Sequence, residues 1–354
     1  MPRPVTHGPV TIEHVARRAG VSPSTASRAL RNAPGVHAHT RELVLTAARE
    51  LGFTGPNWFA RGLRTGESRV IAVEIESFTN SYYAELAEAI EGRARRDGFL
   101  VVITTVPASE VDTEEGSLRQ LLRSGVAGLI HRPLAGWERR RHLLRELCAR
   151  GVTVVIVGDD LTESEFPIVG VDTSLGVRLA VDHLYSLGHR AIGFLSTSDT
   201  CDRAVSYQAS MRQYGLAERL YLVPGGLPVT GAAYQIALAL LDSADRPSAV
   251  LCFNDLIAVQ LVQAARARGV RVPEDMSIVG FDDNAEARLL QPALTTVRIP
   301  KAEMGAKAVE IIIDAIAKRL QGEADPEDKP ARVVYPTTLE VRGSTAPWRA
   351  NRMS

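Results

Sequence analysis

The pattern of apolar residues at the start of the chain predicts two short helices joined by a tight turn. Apolar residues recur at helical spacing after Thr11, which is a good helix N-cap, and Gly20 suits the left-handed residue that ends a helix. Ser22 then caps a second predicted helix. Pro23 takes the first position of that helix, where a missing N–H group costs nothing.

The second predicted helix has an apolar face and a polar face. Ala26 and Ala29 belong to the apolar face. The polar face carries small hydroxyl side chains and one arginine, namely Ser24, Thr25, Ser27 and Arg28. A first helix, a turn with glycine and a second helix with a polar outer face are typical of a helix-turn-helix DNA reader. The same arrangement also occurs as a plain packing motif, so the spacing alone leaves both interpretations open.

A third predicted helix, capped by Thr40 and ended by Gly52, completes a small all-helical head over residues 10–56. Residues 1–9 are predicted to be a disordered tail. Residues 57–67 contain a short segment that is too apolar for a plain linker and too short for a stable isolated helix, followed by a polar stretch. We interpret 57–67 as a hinge helix and linker.

From Val70 onward, predicted strands alternate with predicted helices, which indicates parallel sheets covered by helices on both faces. Two such series, divided near residue 160, predict two similar lobes within a body of residues 68–343. A late helix and two late strands could return to either lobe, so the lobes are expected to be interlaced. The predicted first lobe covers about 68–160 plus 293–320, and the second about 161–292 plus 321–343. Residues 344–354 are predicted to be a tail.

The formal net charge of zero hides an asymmetry between the head and the body. Residues 1–67 contain 9 basic and 4 acidic residues, whereas residues 68–354 contain 32 and 37. A basic head on a mildly acidic body indicates a polyanionic partner for the head only. The 3 cysteines are widely spaced, and neither a signal peptide nor an apolar run of membrane-spanning length is visible. We therefore expect a cytoplasmic protein without a membrane partner.

No set of residues predicts catalysis. The chain contains no phosphate-binding G-x-x-x-x-G-K-[ST] motif, no nucleophile with an evident partner and no metal-ligand spacing among its cysteines. We expect that the protein is not an enzyme and that it needs no cofactor and no metal.

Several motifs, taken in order, give a more specific indication. The head contains V-T-I-E-H-V-A-R-R-A-G-V-S-P-S-T-A-S-R-A-L, and P-N-W-F-A-R-G-L-R-T-G follows it. The body contains V-P-E-D-M-S-I-V-G-F-D-D, L-T-T-V-R-I-P and L-E-V-R-G-S-T. This set resembles the LacI/GalR family of transcriptional regulators over Val10 to Thr345. The resemblance implies an N-terminal helix-turn-helix head and a two-lobed α/β body like that of periplasmic binding proteins.

The resemblance implies a set of DNA contacts in the head and the hinge. The second helix would enter the major groove with Pro23, Ser24 and Arg28 nearest to base edges, and Arg28 can bond bidentately to guanine. Phosphate contacts would come from Thr11, Ser22, Thr25, Ser27 and Asn32. In the hinge, Asn57, Ala60 and Leu63 would contact DNA, and Leu63 would wedge between base pairs in the minor groove. The alternatives are helix capping for Thr11 and Ser22, and packing against the body for Leu63.

The resemblance also implies an effector site at the carboxyl ends of the body strands. Its expected residues are Tyr82, Tyr83, Asp159, Arg203, Asn254 and Asp282, and Asp159 is the weakest match. Such a set suits a sugar or related polyol, because each polar group can bond two neighbouring hydroxyls. The alternatives are strand-end capping for Asn254 and Asp282 and a surface ion pair for Arg203.

We therefore expect a ligand-responsive regulator, most simply a repressor of carbohydrate-uptake or catabolic genes. It would bind a pseudo-palindromic double-stranded operator as a homodimer, associate with the nucleoid when bound, and respond to a small effector. A solute-binding protein of a transporter is the alternative that the body alone would allow, although the basic head argues against it. An enzyme on a doubly wound fold is a third and weaker alternative.

Overall fold

The computed structural model describes residues 10–30, 33–53, 68–106, 111–133, 140–159, 164–224, 231–323 and 329–349, without the side chains of 111–114 and 159. The chain divides into two compact units, Met1–Arg69 and Val70–Ser354, which we call the head and the body.

The head contains three helices, α1 (Ile12–Ala19), α2 (Pro23–Leu30) and α3 (Ala38–Glu50). Gly20 ends α1 with a φ of 70°, as the pattern predicted, and Ser22 Oγ accepts the Thr25 N–H at 3.1 Å at the start of α2. α3 begins earlier than predicted. His37, not Thr40, is its N-cap, because the helical hydrogen bonding already starts from the His37 carbonyl, which accepts the Arg41 N–H.

A small apolar core holds the head together. Its fully buried members come from all three helices: Val15, Ala16, Ala26, Ala29, Val44, Ala47 and Ala48. Because most of these side chains are alanines, the helices approach closely and the core is shallow. α2 is therefore fixed by one face only and presents its opposite face to solvent.

The body contains 12 strands and 9 helices in its described residues. In chain order they are β1 (Val70–Ile75), α4 (Ser81–Arg96), β2 (Leu100–Thr105), α5 (Val111–Ser124), β3 (Gly128–His131), α6 (Arg141–Ala149), β4 (Thr153–Asp159), β5 (Ile168–Val171), α7 (Thr173–Ser186), β6 (Ile192–Ser196), α8 (Asp202–Gln213), β7 (Leu220–Leu222), α9 (Ala232–Asp242), β8 (Ala249–Cys252), α10 (Asp255–Ala267), β9 (Ser277–Asp282), α11 (Ala285–Leu289), β10 (Thr295–Arg298), α12 (Lys301–Gln321), β11 (Arg332–Tyr335) and β12 (Thr338–Glu340).

These strands form two sheets of six strands each. The first sheet has the order β11-β5-β4-β3-β1-β2, and all its pairings are parallel. The second has the order β12-β10-β9-β8-β6-β7 and is parallel except for the β10–β12 pair. We call the first sheet with its helices the first lobe and the second sheet with its helices the second lobe. α12 packs on α4, β4 and β5 and so belongs to the first lobe.

The lobe boundaries differ from the prediction. The second lobe was predicted to begin at about residue 161, but β5 pairs in parallel register with β4 and stays in the first sheet. β10, which the pattern did not predict as a strand, pairs with β9 in the second sheet, although residues 293–320 were assigned to the first lobe. β11 returns to the first sheet beside β5, and β12 crosses back to β10. Hydrogen bonds between strands determine which sheet each strand joins. The spacing of apolar residues along one strand does not show which other strand it pairs with, so these assignments could not be predicted.

The predicted tail is also wrong in its first part. Ser344 is fully buried, and its hydroxyl joins the Thr295 N–H to the Ile278 carbonyl. The backbone N–H of Trp348 donates to the Leu187 carbonyl at 2.8 Å. A buried serine that bridges two strands, followed by an anchored tryptophan, makes residues 344–348 part of the second lobe.

Throughout the described ranges, no helix has both the length and the apolar character needed to cross a membrane.

Candidate nucleic-acid interface and effector site

α2 exposes the residues predicted to face DNA. Pro23, Ser24 and Arg28 are exposed, and Thr25 and Ser27 are half-buried. The Ser22 hydroxyl lies 2.8 Å from the hydroxyls of both Ser24 and Thr25, so the start of α2 carries a cluster of small polar groups. Such groups and a helix N-terminus can bond phosphate oxygens without reading sequence.

Arg28 leaves the last turn of α2 toward the loop that precedes α3. Its Nη2 atom donates to the Pro34 carbonyl at 2.8 Å. The acceptor is neutral, so this contact does not neutralise the guanidinium charge. Thr11, predicted to cap α1, is its N-cap, and its N–H donates to the ring of His14 at 3.2 Å.

In the body, Arg203 is the centre of a buried polar cluster. It lies in the first turn of α8, and its side chain is only 6% exposed. Its guanidinium carbon lies 4.7 Å from the ring centre of Phe253 and 4.0 Å from that of Phe281. Nη2 is 3.5 Å from Asp282 Oδ1, and Nη1 donates to the Phe253 carbonyl. Ring faces, a carbonyl and a carboxylate together compensate for the burial of this charge.

Parallel topology explains why these residues meet. β6, β8 and β9 are neighbours in the second sheet, so their carboxyl ends lie at one edge. Asp282 ends β9, Phe253 follows β8, and α8 begins soon after β6. The sequence prediction that Arg203, Asn254 and Asp282 converge on this edge agrees with their positions. Arg203 is not in a surface ion pair, because both it and Asp282 are buried.

The loop after β9 has an unusual backbone. Asp282 has a φ of 115° and Asp283 a φ of 50°, both in a region that non-glycine residues seldom adopt. The buried ammonium of Lys301 holds this loop. It donates to the carbonyls of Asp282 at 2.8 Å and Asp283 at 3.2 Å, and to Asn284 Oδ1 at 3.0 Å. The same ammonium lies 2.9 Å from the carboxylate of Glu85 in the first lobe.

Asn254 acts as a helix cap in this structure. Its Oδ1 accepts the Ile257 N–H at 2.9 Å, which is the capping alternative that the sequence left open. The residue is 1% exposed. The cap uses only Oδ1, and the side-chain amide nitrogen keeps its N–H donors.

Asp255 is a member of the cluster that the sequence did not indicate. Its carboxylate accepts from Thr296 Oγ1 at 2.5 Å and from the Asn284 N–H at 2.7 Å. Burial, together with the neighbouring charge of Asp282, raises the pKa of Asp255 to about 8. Gly280 makes room for it, because a Cβ at that position would lie 2.1 Å from Asp255 Oδ1.

The first lobe contributes a second cluster around Tyr83. The Tyr83 hydroxyl donates to Glu76 Oε2 at 2.7 Å, and the Arg132 guanidinium lies 5.3 Å from the ring centre. The pKa of Tyr83 is raised well above its ordinary value by burial, against the opposing charge of Arg132. The ring of Tyr82 packs edge-on to that of Tyr83 at 5.2 Å. Only the two tyrosines were predicted, although Glu76, which directly follows β1, could have been identified as a carboxylate at a strand end.

Direct contacts join the two lobes near these clusters. The Ser81 hydroxyl lies within 2.8 Å of both carboxylate oxygens of Glu286. Asn284 donates through its side-chain amide to Asn80 Oδ1 at 3.3 Å. Ser81 and Asn80 start α4 in the first lobe, whereas Asn284 and Glu286 start α11 in the second. The starts of α4 and α11 therefore bond the first lobe to the second.

Comparison with known proteins relates this arrangement to a family. Residues 11–57 match the sequence model described as "Bacterial regulatory proteins, lacI family", and residues 181–345 match that of a "Periplasmic binding protein-like domain". The HTH-type transcriptional regulator DegA of Bacillus subtilis (strain 168) is 31% identical over 95% of this chain and 98% of its own length. The chain belongs to the LacI family.

Solved structures of LacI-family proteins agree in fold. The Lac repressor dimer bound to operator and the anti-inducer ONPF has a TM-score of 0.81 at 27% identity, covering 96% of this chain and 100% of that one. A LacI-family regulator from Enterococcus faecium with bound ribose has a TM-score of 0.68 at 26% identity, covering 79% and 100%. The predicted family and fold class are confirmed, and this LacI-family chain is a DNA-binding transcriptional regulator.

Membership of the LacI family also bears on the alternatives. The matched head does not favour a solute-binding protein, and the family is one of transcriptional regulators and not of enzymes. Among the described side chains, no group of three or more His, Cys, Asp or Glu residues could hold a metal ion.

Some predicted site residues lie outside the description. Asn32, Asn57, Ala60 and Leu63 fall in the undescribed ranges, and the side chain of Asp159 is not described. Their roles remain predictions.

Proposed function

We propose that this LacI-family protein is a repressor of carbohydrate-uptake or catabolic genes, controlled by a small effector such as a sugar. It binds a pseudo-palindromic operator as a homodimer, in the cytoplasm where the chromosome lies. The main supporting observation is that a helix-turn-helix head shares its chain with a strand-end edge of the second sheet, at which a buried Arg203 lies near two rings and beside Asp282.

The chemistry of that edge favours a polyhydroxylated ligand. Asp282 accepts hydrogen bonds, the Asn254 amide nitrogen donates them, and Arg203 has a fork of donors that can bond adjacent oxygens. The rings of Tyr82, Phe253 and Phe281 supply apolar faces of the kind that line ligand sites. The ribose bound to the Enterococcus faecium relative is consistent with this class of ligand.

On DNA, the exposed face of α2 supports contacts in the major groove. Arg28 is proposed to read a base, and Pro23 and Ser24 to lie beside it. Thr11, Ser22, Thr25, Ser27 and Asn32 are proposed to bond phosphates, and Leu63 in the hinge to wedge into the minor groove. A dimer with two such heads matches an operator with two half-sites, as in the Lac repressor dimer bound to operator.

A mobility-shift titration tests the DNA part of this function. The full-length protein is titrated at low salt against fragments from upstream of its own gene and of the neighbouring genes. We expect one fragment to shift at far lower protein concentration than the others. If no fragment is shifted in a protein-dependent way, specific operator binding is contradicted.

The effector part is tested by adding pentoses, hexoses and disaccharides to the shifted complex. We expect one of them to change the apparent affinity by about 5- to 150-fold, the range of couplings of about 1–3 kcal/mol. Asp282→Asn should keep DNA binding and lose this response. Asp275→Asn is a matched control, because Asp275 lies before β9 and pairs with Arg271. A sugar-responsive Asp282→Asn protein would remove Asp282 from the site.

A further inference from the structure

Two consecutive backbone carbonyls in the loop between α2 and α3 accept hydrogen bonds from arginine side chains. Arg28 Nη2 donates to the Pro34 carbonyl at 2.8 Å, and Arg41 Nη2 donates to the Ala33 carbonyl at 2.9 Å. The Ala33 N–H in turn donates to the Arg28 carbonyl at 3.0 Å. Backbone and side chain of Arg28 are therefore both tied to the same short loop.

Gly35 shapes the place where the Arg28 guanidinium rests. It has a φ of 84°, and a Cβ built on it would lie 2.9 Å from Arg28 Nη2. The atom that such a Cβ meets is the far end of a flexible side chain, not backbone. A side chain at position 35 can therefore be accommodated by moving the Arg28 guanidinium away, with the fold of the head preserved.

We propose that Gly35 and the Pro34 carbonyl are positioning elements for base recognition, because they pre-organise Arg28 on the outer face of α2. This inference rests on the proposed role of Arg28 as the base-reading residue. An exposed arginine loses much rotamer freedom when it binds, and a side chain that is already held loses less. Arg28 has five N–H donors, so the bond to Pro34 leaves enough of them for guanine O6 and N7.

Gly35→Ala tests the inference because it adds only a methyl group. Gly52→Ala is a matched control, since Gly52 is also in the head, has a φ of 66° and has no atom within 4 Å of the added Cβ. Both variants carry the backbone strain of alanine at positive φ, and only Gly35→Ala displaces Arg28. Gly35→Asn is a second variant, because asparagine tolerates this backbone conformation better than alanine does.

The assay is selection of binding sites from random DNA with the full-length protein, followed by affinity measurement on the selected site and on unrelated DNA. We expect Gly35→Ala to weaken binding to the selected site by about three- to tenfold more than Gly52→Ala, the size of one pre-organised long side chain. Binding to unrelated DNA should change equally in both. The base preference at the position read by Arg28 should relax in Gly35→Ala and Gly35→Asn, an effect that lost stability alone would not produce.

Arg28→Ala separates base reading by Arg28 from the positioning of Arg28 by Gly35. We expect it to remove the same base preference and to make a further Gly35→Ala change silent. If Arg28→Ala is selective for the specific site but both Gly35 variants behave like Gly52→Ala, the positioning role is overturned and base reading by Arg28 stands. If Arg28→Ala weakens specific and unrelated DNA equally, base reading itself is overturned, and the positioning role with it.

Discussion

Lys301 is the residue whose removal should most disturb the effector edge. Its buried ammonium, at the start of α12 in the first lobe, donates to three acceptors in the loop of Asp282 to Asn284 of the second lobe and contacts Glu85 in the first lobe. Lys301→Met keeps a similar volume and removes all four contacts. The strained backbone at Asp282 and Asp283 then loses the group that holds it.

The expected loss of stability comes from the hydrogen-bond acceptors that Lys301→Met leaves without a donor. Each buried acceptor that loses its donor costs about 1–3 kcal/mol if it stays unsatisfied. Glu85 is 37% exposed and regains water, so its part of the loss is small. The three loop acceptors are neutral, so the loss comes mainly from their unmet hydrogen bonds, and we expect the free energy of unfolding of the body to fall by about 3–5 kcal/mol.

Urea unfolding followed by circular dichroism measures this loss. Lys307→Met is the control on the same helix. Lys307 and Glu310 form a pair 3.3 Å apart with side chains 37% and 39% exposed, and such pairs contribute at most about 1 kcal/mol. If the two variants have the same unfolding free energy within about 1 kcal/mol, the ammonium of Lys301 does not hold the loop and the reasoning fails.

Three further predictions concern titration and the ligand edge. The folded pKa of Asp255, about 8, exceeds its unfolded value, so the folded state retains a proton that the unfolded state loses. The free energy of unfolding should therefore fall as pH rises from about 4 to about 8. In Asp255→Asn the urea midpoint should lose this dependence on pH, and an unchanged dependence would contradict the prediction. Burial lowers the pKa of His189 to about 4, below its unfolded value, so stability should fall as pH drops from 6.5 to 4. In His189→Gln, the part of the stability loss between pH 6.5 and 4 that comes from this histidine should disappear. A urea midpoint that falls over this pH range as much as in the unsubstituted protein would contradict the prediction. Arg203→Lys keeps the charge and loses the contact of the guanidinium with the rings of Phe253 and Phe281. Any sugar that raises the melting temperature should then bind at least about tenfold more weakly in calorimetry. Equal affinity would exclude a binding role for the guanidinium.

The helices of the head were predictable because their signals are local. Thr11, Gly20 and Ser22 act through hydrogen bonds to residues at most four positions away, and such caps can be seen in the sequence. The predicted start of α3 was wrong because Thr40 is the better cap by residue type, whereas the helix begins at Ala38 after His37, whose side chain makes no capping hydrogen bond. The contact between Arg28 and Pro34 could not be predicted, because it depends on the path of a loop.

At the effector edge, the resemblance to a family supplied Arg203 and Asp282, which are 79 positions apart in the chain. Asp255 and Lys301 were missed for a common physical reason. Each stands in the first turn of a helix, where an acidic or basic residue ordinarily faces solvent. Their burial follows from β10 lying in the second sheet and α12 in the first lobe, and no local pattern encodes that crossing.

The loop after β9 connects ligand chemistry to lobe geometry at one place. The Asp282 carboxylate lies beside Arg203, while Lys301 donates to the carbonyls of Asp282 and Asp283 and to Asn284 Oδ1. Asn284, at the end of the same loop, bonds Asn80 of the first lobe, and Lys301 contacts Glu85 on the same helix as Ser81. A ligand bound to Asp282, as proposed above, would act on a strained segment that also carries contacts between the lobes. A change of Asp282 to Asn284 between two conformations would then alter both effector binding and the contacts between the lobes. Coupling between the two would need no long pathway through the body.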